Sequence, residues 1–334
     1  MKQAIAARLL SRSGLLSLCR RAVPWSGVLC LNYHRFGDGS QSVFDRGLWS
    51  ADGEAFDQHV RFLKTHFDVV TPHDLPDIVR RRRGRSVLIT FDDGYLDNYE
   101  IAFPILKRHG VPATLFVTTG FLDSPRLSWW DEIAWMVRTS RQPGIEAGSW
   151  LSAPIVYDEP DRELAVESLL RTFKALPTDS TGAYLGFLGN ATGAGRYDGR
   201  RDGRMWMSWD MIRDMRAAGI VIGGHTVNHP VLAQLPPELQ WEEISECGRR
   251  FSEELGEPMS YFSYPVGERF SFNDITRACL QRAGVRYAFS YYGGFRSFER
   301  WDDFDIRRIG VESFMSPDWV RAAVTLPGVF GRAR

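Results

Sequence analysis

The chain has 334 residues, 44% hydrophobic and 25% charged, with 41 basic and 41 acidic side chains and a formal net charge of zero. That length and apolar fraction support one large α/β core rather than a string of small domains. Zero net charge excludes a global field that recruits nucleic acid, and the wide spacing of Cys19, Cys30, Cys247 and Cys279 excludes a zinc ribbon or a Cys-x-x-Cys redox site, so these read as buried thiols.

In chain order, residues 1–27 form a basic segment in which Lys2, Arg8, Arg12, Arg20 and Arg21 interrupt the apolar clusters Leu9-Leu10 and Leu15-Leu16. No signal-peptide core or membrane span emerges from that pattern. It reads as a helix lying either on a membrane surface or against the protein, and the expected location is cytoplasmic or peripheral at the inner membrane. The apolar strand Val28-Leu29-Cys30-Leu31-Asn32-Tyr33 then ends in His34, and a helix is expected over 54–66. The run Arg80-Arg81-Arg82-Arg83-Gly84-Arg85 reads as a solvated loop face. Ser86-Val87-Leu88-Ile89-Thr90-Phe91 is a buried strand that stops at Asp92-Asp93-Gly94, with a helix over 97–109 and a strand over 114–118 beyond it.

Residues 124–205 break the rhythm with Trp129-Trp130-Asp131, a helix over 161–176 and a glycine-rich stretch over 182–203, whose part 193–203 reads as a solvent loop or a lid. Past that elaboration come a helix over 209–218 and the strand-like run Ile220-Val221-Ile222-Gly223-Gly224, whose closing glycines suit a tight loop that brings both imidazoles of His225-Thr226-Val227-Asn228-His229 to one point. Helices over 238–255 and 273–283 alternate with strands over 259–264, 287–290 and 306–309, and residues 313–334 form a helix and tail. Strands alternating with helices predict a parallel β/α architecture.

Two carboxylates and two histidines at strand ends are the parts of a hydrolytic metal site. Side chains alternate along a strand, so Asp92 and Asp93 can take different roles only where the strand opens into a loop, and Gly94 permits that turn. Neutral imidazole is a common metal ligand, and three ligands, Asp93, His225 and His229, leave positions open for water and substrate. Asp92 then stays free as a base. An Asp-Asp pair can equally cap a turn, and a His-x-x-x-His loop can be structural.

Thr90 to Gly94, His225 to His229 and Phe262-Ser263-Tyr264-Pro265-Val266-Gly267 together resemble the successive motifs of the polysaccharide deacetylases, the NodB-homology domain of carbohydrate esterase family four. The resemblance implies a distorted (β/α)7-type barrel over residues 28–312 with a large insertion at 124–205. It implies a hydrolase that removes the N-acetyl group from an N-acetylated sugar of a glycan or glycolipid, in envelope polysaccharide or exopolysaccharide biosynthesis, using a divalent metal ion with zinc foremost. Asp92 is implied as general base, and Asp93, His225 and His229 as metal ligands.

Three departures stand out. Ser263 occupies the place of the arginine that orients the base, which directs attention to Arg307 and Arg308, with Arg308 preferred for a bidentate grip. No histidine follows His229, so the general acid is sought at His34, at the end of a strand resembling the opening of permuted deacetylases. Val266 stands where an aromatic is commoner. Substrate contacts are expected at Tyr95, whose backbone lies near the developing oxyanion, at Tyr264 and Pro265, and at Trp130, which with Trp129 and Trp206 could stack on pyranose rings. The rival readings are a non-catalytic glycan-binding protein on the same barrel and an amidase for a small non-sugar amide.

Overall fold

The computed structural model describes residues 2–22, 25–157, 162–198 and 205–331. The chain divides into two compact units, one of Met1–Asp38, Leu48–Asp123 and Met205–Arg334, the other of Gly39–Gly47 and Ser124–Arg204.

The first unit is a closed barrel. Its strands are β1 (Gly27–Tyr33), β2 (Arg85–Phe91), β3 (Thr114–Val117), β4 (Val221–Gly224), β5 (Tyr261–Ser263), β6 (Tyr287–Ser290) and β7 (Ile306–Gly310). All seven run parallel and pair in chain order, and β1 closes the ring by pairing with both β2 and β7. The expected (β/α)7-type barrel is the observed fold. A two-residue strand, Arg296–Ser297, runs antiparallel along the start of β1.

Period-two register divides each strand between two cores. Leu29, Leu31, Ile89, Leu115 and Ile222 face the helices, whereas Val28, Cys30, Leu88, Phe116, Phe289 and Ile306 fill the barrel interior. Followed toward the C-terminal ends, the inner register turns polar. Asn32 succeeds Cys30, Thr90 and Asp92 succeed Leu88, and Arg308 succeeds Ile306, all of them buried. An apolar floor therefore carries a polar layer at the end where catalytic residues of such barrels gather.

Around the barrel lie α1 (Lys2–Arg12), α2 (Leu15–Ala22), α3 (Gly53–His66), α4 (Phe103–His109), α5 (Trp209–Ala217), α6 (Pro237–Leu255), α7 (Asp274–Arg282) and α8 (Pro317–Thr325). Side-chain caps fix several starts: Asp52 accepts from Ala55 N–H ahead of α3, and Asn273 forms a capping box with Thr276 ahead of α7. Where periodicity predicts an unbroken helix over 97–109, Asn98–Ala102 form a π-helical turn before α4. Pro104, with no N–H to donate, stands at the start of α4 and accounts for the interruption.

Gly223 and Gly224 serve close packing rather than a turn. A Cβ at Gly223 would sit 2.5 Å from the Phe116 ring, and one at Gly224 would sit 2.1 Å from the Met259 sulfur. All four cysteines are free thiols. Among the described residues no helix is long and apolar enough to cross a membrane.

The second unit has its own core of Ile133, Met136, Val137, Leu169, Phe173, Tyr184 and Leu188. Its helices are Trp129–Thr139, Glu163–Ala175 and Thr178–Thr192, beside a short antiparallel pair, Gly144–Ile145 with Ile155–Val156. The last helix runs through Gly182, Gly186 and Gly189 of the glycine-rich stretch, and at Gly189 the missing side chain admits the Gly195 backbone, 2.8 Å from where a Cβ would lie. Asp161 and residues 199–203 of the stretch read as loop or lid lie outside the described residues.

Candidate active site

The site is assembled at the C-terminal ends of the barrel strands. Asp92 continues the inner register of β2, and Arg308 reaches it from β7 across the barrel. Arg308 Nη1 and Nη2 donate to Asp92 Oδ1 and Oδ2 at 2.7 and 2.8 Å, a bidentate grip between groups whose side chains are 0% and 3% exposed. Arg308 also donates to Asn32 Oδ1 and Ser263 Oγ, both at 2.7 Å, and to the Ser290 carbonyl at 3.1 Å. Asn32 Nδ2 donates to Asp92 Oδ2 at 3.2 Å, and Thr90 Oγ1 donates to Asn32 Oδ1 at 2.7 Å. Burial pushes the Asp92 carboxyl up, but the Arg308 guanidinium, with His225 and His34 behind it, outweighs burial and holds it well below the ordinary carboxylate range. Arg307, the other arginine considered, points elsewhere and lies over the Tyr292 ring at 5.0 Å.

Asp93 leaves the strand with φ of 75°, so the carboxylate itself, ahead of Gly94 at 95°, adopts the left-handed conformation that turns it from the inner register. Its Oδ1 lies 3.4 Å from His225 Nε2 and 3.5 Å from His229 Nε2, and the three ligand atoms lie within 4.8 Å of one another. His225 Nδ1 donates to the Ser263 carbonyl at 2.7 Å, so in the neutral imidazole Nε2 is the lone pair that faces Asp93. Asp93 Oδ1 is buried and accepts no hydrogen bond.

Two lone pairs held face to face at that distance fit a cation between them. A tetrahedral site with bonds of ~2.0–2.2 Å places its ligand atoms roughly 3.3–3.6 Å apart, and the donor set of one carboxylate and two imidazoles suits zinc and other first-row metals. Burial, with His225 adding to it, pushes the His229 imidazole down to about 3, which favours the neutral form a ligand requires.

The loop carrying both histidines is anchored from α6, since Glu243 accepts from Val227 N–H and Asn228 N–H at 2.9 Å and from Asn228 Nδ2 at 2.6 Å. Thr226 and His229 have φ of 66° and 57°, and His229 N–H donates to Thr226 Oγ1 at 2.9 Å. Residues off the preferred backbone regions therefore cluster around the ligand set.

His34 emerges from β1 on this same end, its Nε2 3.9 Å from Asp92 Oδ2 and its side chain 16% exposed. Its N–H donates to Ser50 Oγ at 3.0 Å, its carbonyl accepts from Asn98 Nδ2 at 2.6 Å, and Tyr291 packs edge-on to the ring at 5.4 Å. Burial lowers its pKa, while Asp93 and Asp92 oppose that shift. Position 266 is likewise shaped by local geometry: Gly267 N–H donates to the Pro265 carbonyl at 2.7 Å across Val266, whose φ is 64°.

The side chains of Tyr95, Tyr264, Pro265 and Trp130, the residues expected to touch substrate, are buried. Tyr264 is buried, stacked on Phe272 at 3.9 Å, with its hydroxyl donating to the Phe304 carbonyl, and Pro265 is buried beside it. Tyr95 is also buried, and its backbone bridges Trp206. Trp206 is sandwiched between the Tyr95 and Phe121 rings, each at 4.4 Å, so its faces are taken by protein rather than open to a pyranose. Trp130 belongs to the second unit, where it is 4% exposed and packs edge-on to Trp129. Sequence reasoning assigned no role to Asn32 or Glu243. A polar residue in the inner register of an apolar strand is the signal that marks Asn32.

A family profile described as polysaccharide deacetylase matches residues 80–150 and 157–288. The chain belongs to the polysaccharide deacetylase family. It is 21% identical to YxkH of Bacillus subtilis over 260 residues, covering 77% of this chain and 61% of that protein. To the poly-beta-1,6-N-acetyl-D-glucosamine N-deacetylase of Staphylococcus aureus it is 31% identical over 112 residues, covering 28% of this chain and 37% of that enzyme. It thus spans less than two thirds of the length of either relative. The fold matches Streptococcus pyogenes deacetylase PplD in complex with acetate, with a TM-score of 0.58 and 18% identity over 88% of this chain and 96% of that one. IcaB from Ammonifex degensii matches with a TM-score of 0.57 and 21% identity over 90% and 97%.

Proposed function

We propose that this polysaccharide deacetylase hydrolyses the acetamide of N-acetylated sugar units in an exopolysaccharide, releasing acetate and leaving a free amine. The observation that carries the reading is the separation of two adjacent carboxylates: Asp93 faces two imidazole nitrogens, while Asp92 is held ionised beside them by Arg308. A glycan-binding protein has no need of that division. Polymeric N-acetylglucosamine is the substrate class named for the staphylococcal relative, and it supplies the acetamide this chemistry requires.

Asp93, His225 and His229 would hold a divalent cation, which supplies Lewis acidity for the acetamide carbonyl and lowers the pKa of water to about 7. Asp92 accepts the proton of the attacking water. Arg308 and Asn32 fix its carboxylate plane during the transfer, a positioning role. His34, at the same end of the barrel, delivers a proton to the departing sugar nitrogen, so that the amine leaves neutral.

The test is acetate release from β-1,6-linked N-acetylglucosamine oligomers by protein stripped with a chelator and reloaded with zinc, cobalt or nickel. Release should vanish on stripping and return on reloading. Equal release from stripped and reloaded protein, or none with any metal and any N-acetylated glycan, would overturn the proposal.

A further inference from the structure

The first two helices invert the arrangement of an ordinary surface helix. Among the described side chains of α1, Ala7 is turned inward, with Leu10 and Ser11 half-buried, while Ile5 and Leu9, one turn apart, are 54% and 65% exposed. Arg8 and Arg12 are exposed too, and at 3.6 residues per turn these four side chains share an arc of about 100°. On α2, Leu16 is buried, whereas Leu15 and Leu18 are 47% and 61% exposed beside exposed Arg21. Of the twelve large apolar side chains exposed among the described residues, four lie between residues 5 and 18.

Neither helix is loosely attached. Ser11 Oγ donates to Asp318 Oδ1 on α8 at 2.6 Å, Arg85 Nη1 donates to the Arg20 carbonyl at 2.7 Å, and Trp25 Nε1 donates to the Val324 carbonyl at 3.1 Å. These polar bonds, with Ala7 and Leu16 in the core and Leu10 packed against it, hold the pair down, while Leu9, Leu15 and Leu18 are turned outward. Residues 1–24 contain no Asp or Glu.

Helices whose exposed apolar residues are edged by arginines, in a segment that carries no acid of its own, are complementary to a surface that is itself apolar and anionic. A second copy of this chain would bring its own Arg8, Arg12 and Arg21 against these, with no acid of α1 or α2 to pair them. At 11 and 8 residues, neither helix can span a bilayer. We propose that α1 and α2 dock the protein on an anionic lipid surface, with Ile5, Leu9, Leu15 and Leu18 entering the acyl boundary and Arg8, Arg12 and Arg21 meeting lipid phosphates. This binding is independent of the hydrolytic reaction.

Sedimentation of the full chain with vesicles of phosphatidylcholine, with and without phosphatidylglycerol, tests it. The protein should pellet with the phosphatidylglycerol vesicles, and molar salt should release it. Replacing Arg8, Arg12 and Arg21 together by Gln should weaken binding on the order of a hundredfold, as three lost contacts of ~1 kcal/mol each predict. The pair Leu9→Glu and Leu18→Glu should abolish it, with the circular dichroism spectrum unchanged. Three results would overturn the proposal: no pelleting with anionic vesicles, equal pelleting with neutral ones, or a concentration-dependent dimer that the leucine variants dissociate.

Discussion

Asp92 and Asp93 are neighbours in the chain with different electrostatic tasks, because one stays in the inner register of β2 and the other turns out of it. Asp92→Asn keeps the shape of the Arg308 contact but removes the base, so kcat should fall about a hundred- to ten-thousandfold with metal content unchanged. Arg308→Met leaves Asp92 buried without its partner. The expected loss is about 3–5 kcal/mol of stability, read from urea denaturation, together with activity. The gathering of Asp92, Asp93, His225 and His229 was legible in the sequence from residue types at strand ends. Arg308 was legible as a candidate grip on Asp92, but its completion by Asn32 and Ser263 was not, since the three come from strands far apart in the chain and meet only when the barrel closes. Ser263, which stands where an arginine was expected, still contributes its hydroxyl to Arg308 and its carbonyl to His225.

At the scale of elements, the strand runs and the main helices follow directly from period and apolar content. The departures have local causes: Pro104 breaks the helix predicted over 97–109, and Gly223 and Gly224 fit between bulky neighbours where a turn was expected. Gly223→Ala would drive a methyl into the Phe116 ring, and a stability loss of about 1–3 kcal/mol should appear in urea denaturation. A loss near zero would mean that Phe116 can move aside.

Helix α3 makes a pH-dependent contribution through His59, which is 2% exposed, with Nδ1 3.3 Å from the Tyr33 hydroxyl. Burial pushes this imidazole down to about 4 from an ordinary 6.5. The unfolded chain therefore binds the proton first as pH falls, so the contribution is complete above pH 6.5 and is lost between 6.5 and 4. The loss amounts to roughly 3 kcal/mol, and it should be missing from the difference in urea midpoints measured across that range for His59→Phe. Parallel pH profiles for the two proteins would rule this contribution out.

Over the whole molecule, the barrel positions groups from β1, β2, β4, β5 and β7 on one end, and the cation that fits among Asp93, His225 and His229 would couple stability to the same site. A metal held at a thousand times its dissociation constant should add about 4 kcal/mol, so chelation should lower the melting temperature of the wild type but not of a His225→Ala, His229→Ala protein. The barrel as a class was readable because strands and helices alternate; the compact core of the second unit was not, because glycines at 182, 186 and 189 disguise a helix.

The proposed division between ligand and base is tested by metal content and acetate release measured on the same Asp92→Asn and Asp93→Asn samples. Asp92→Asn should retain one metal per chain and lose turnover, while Asp93→Asn should lose both. Full turnover in Asp92→Asn, or undiminished metal binding in Asp93→Asn, would contradict it.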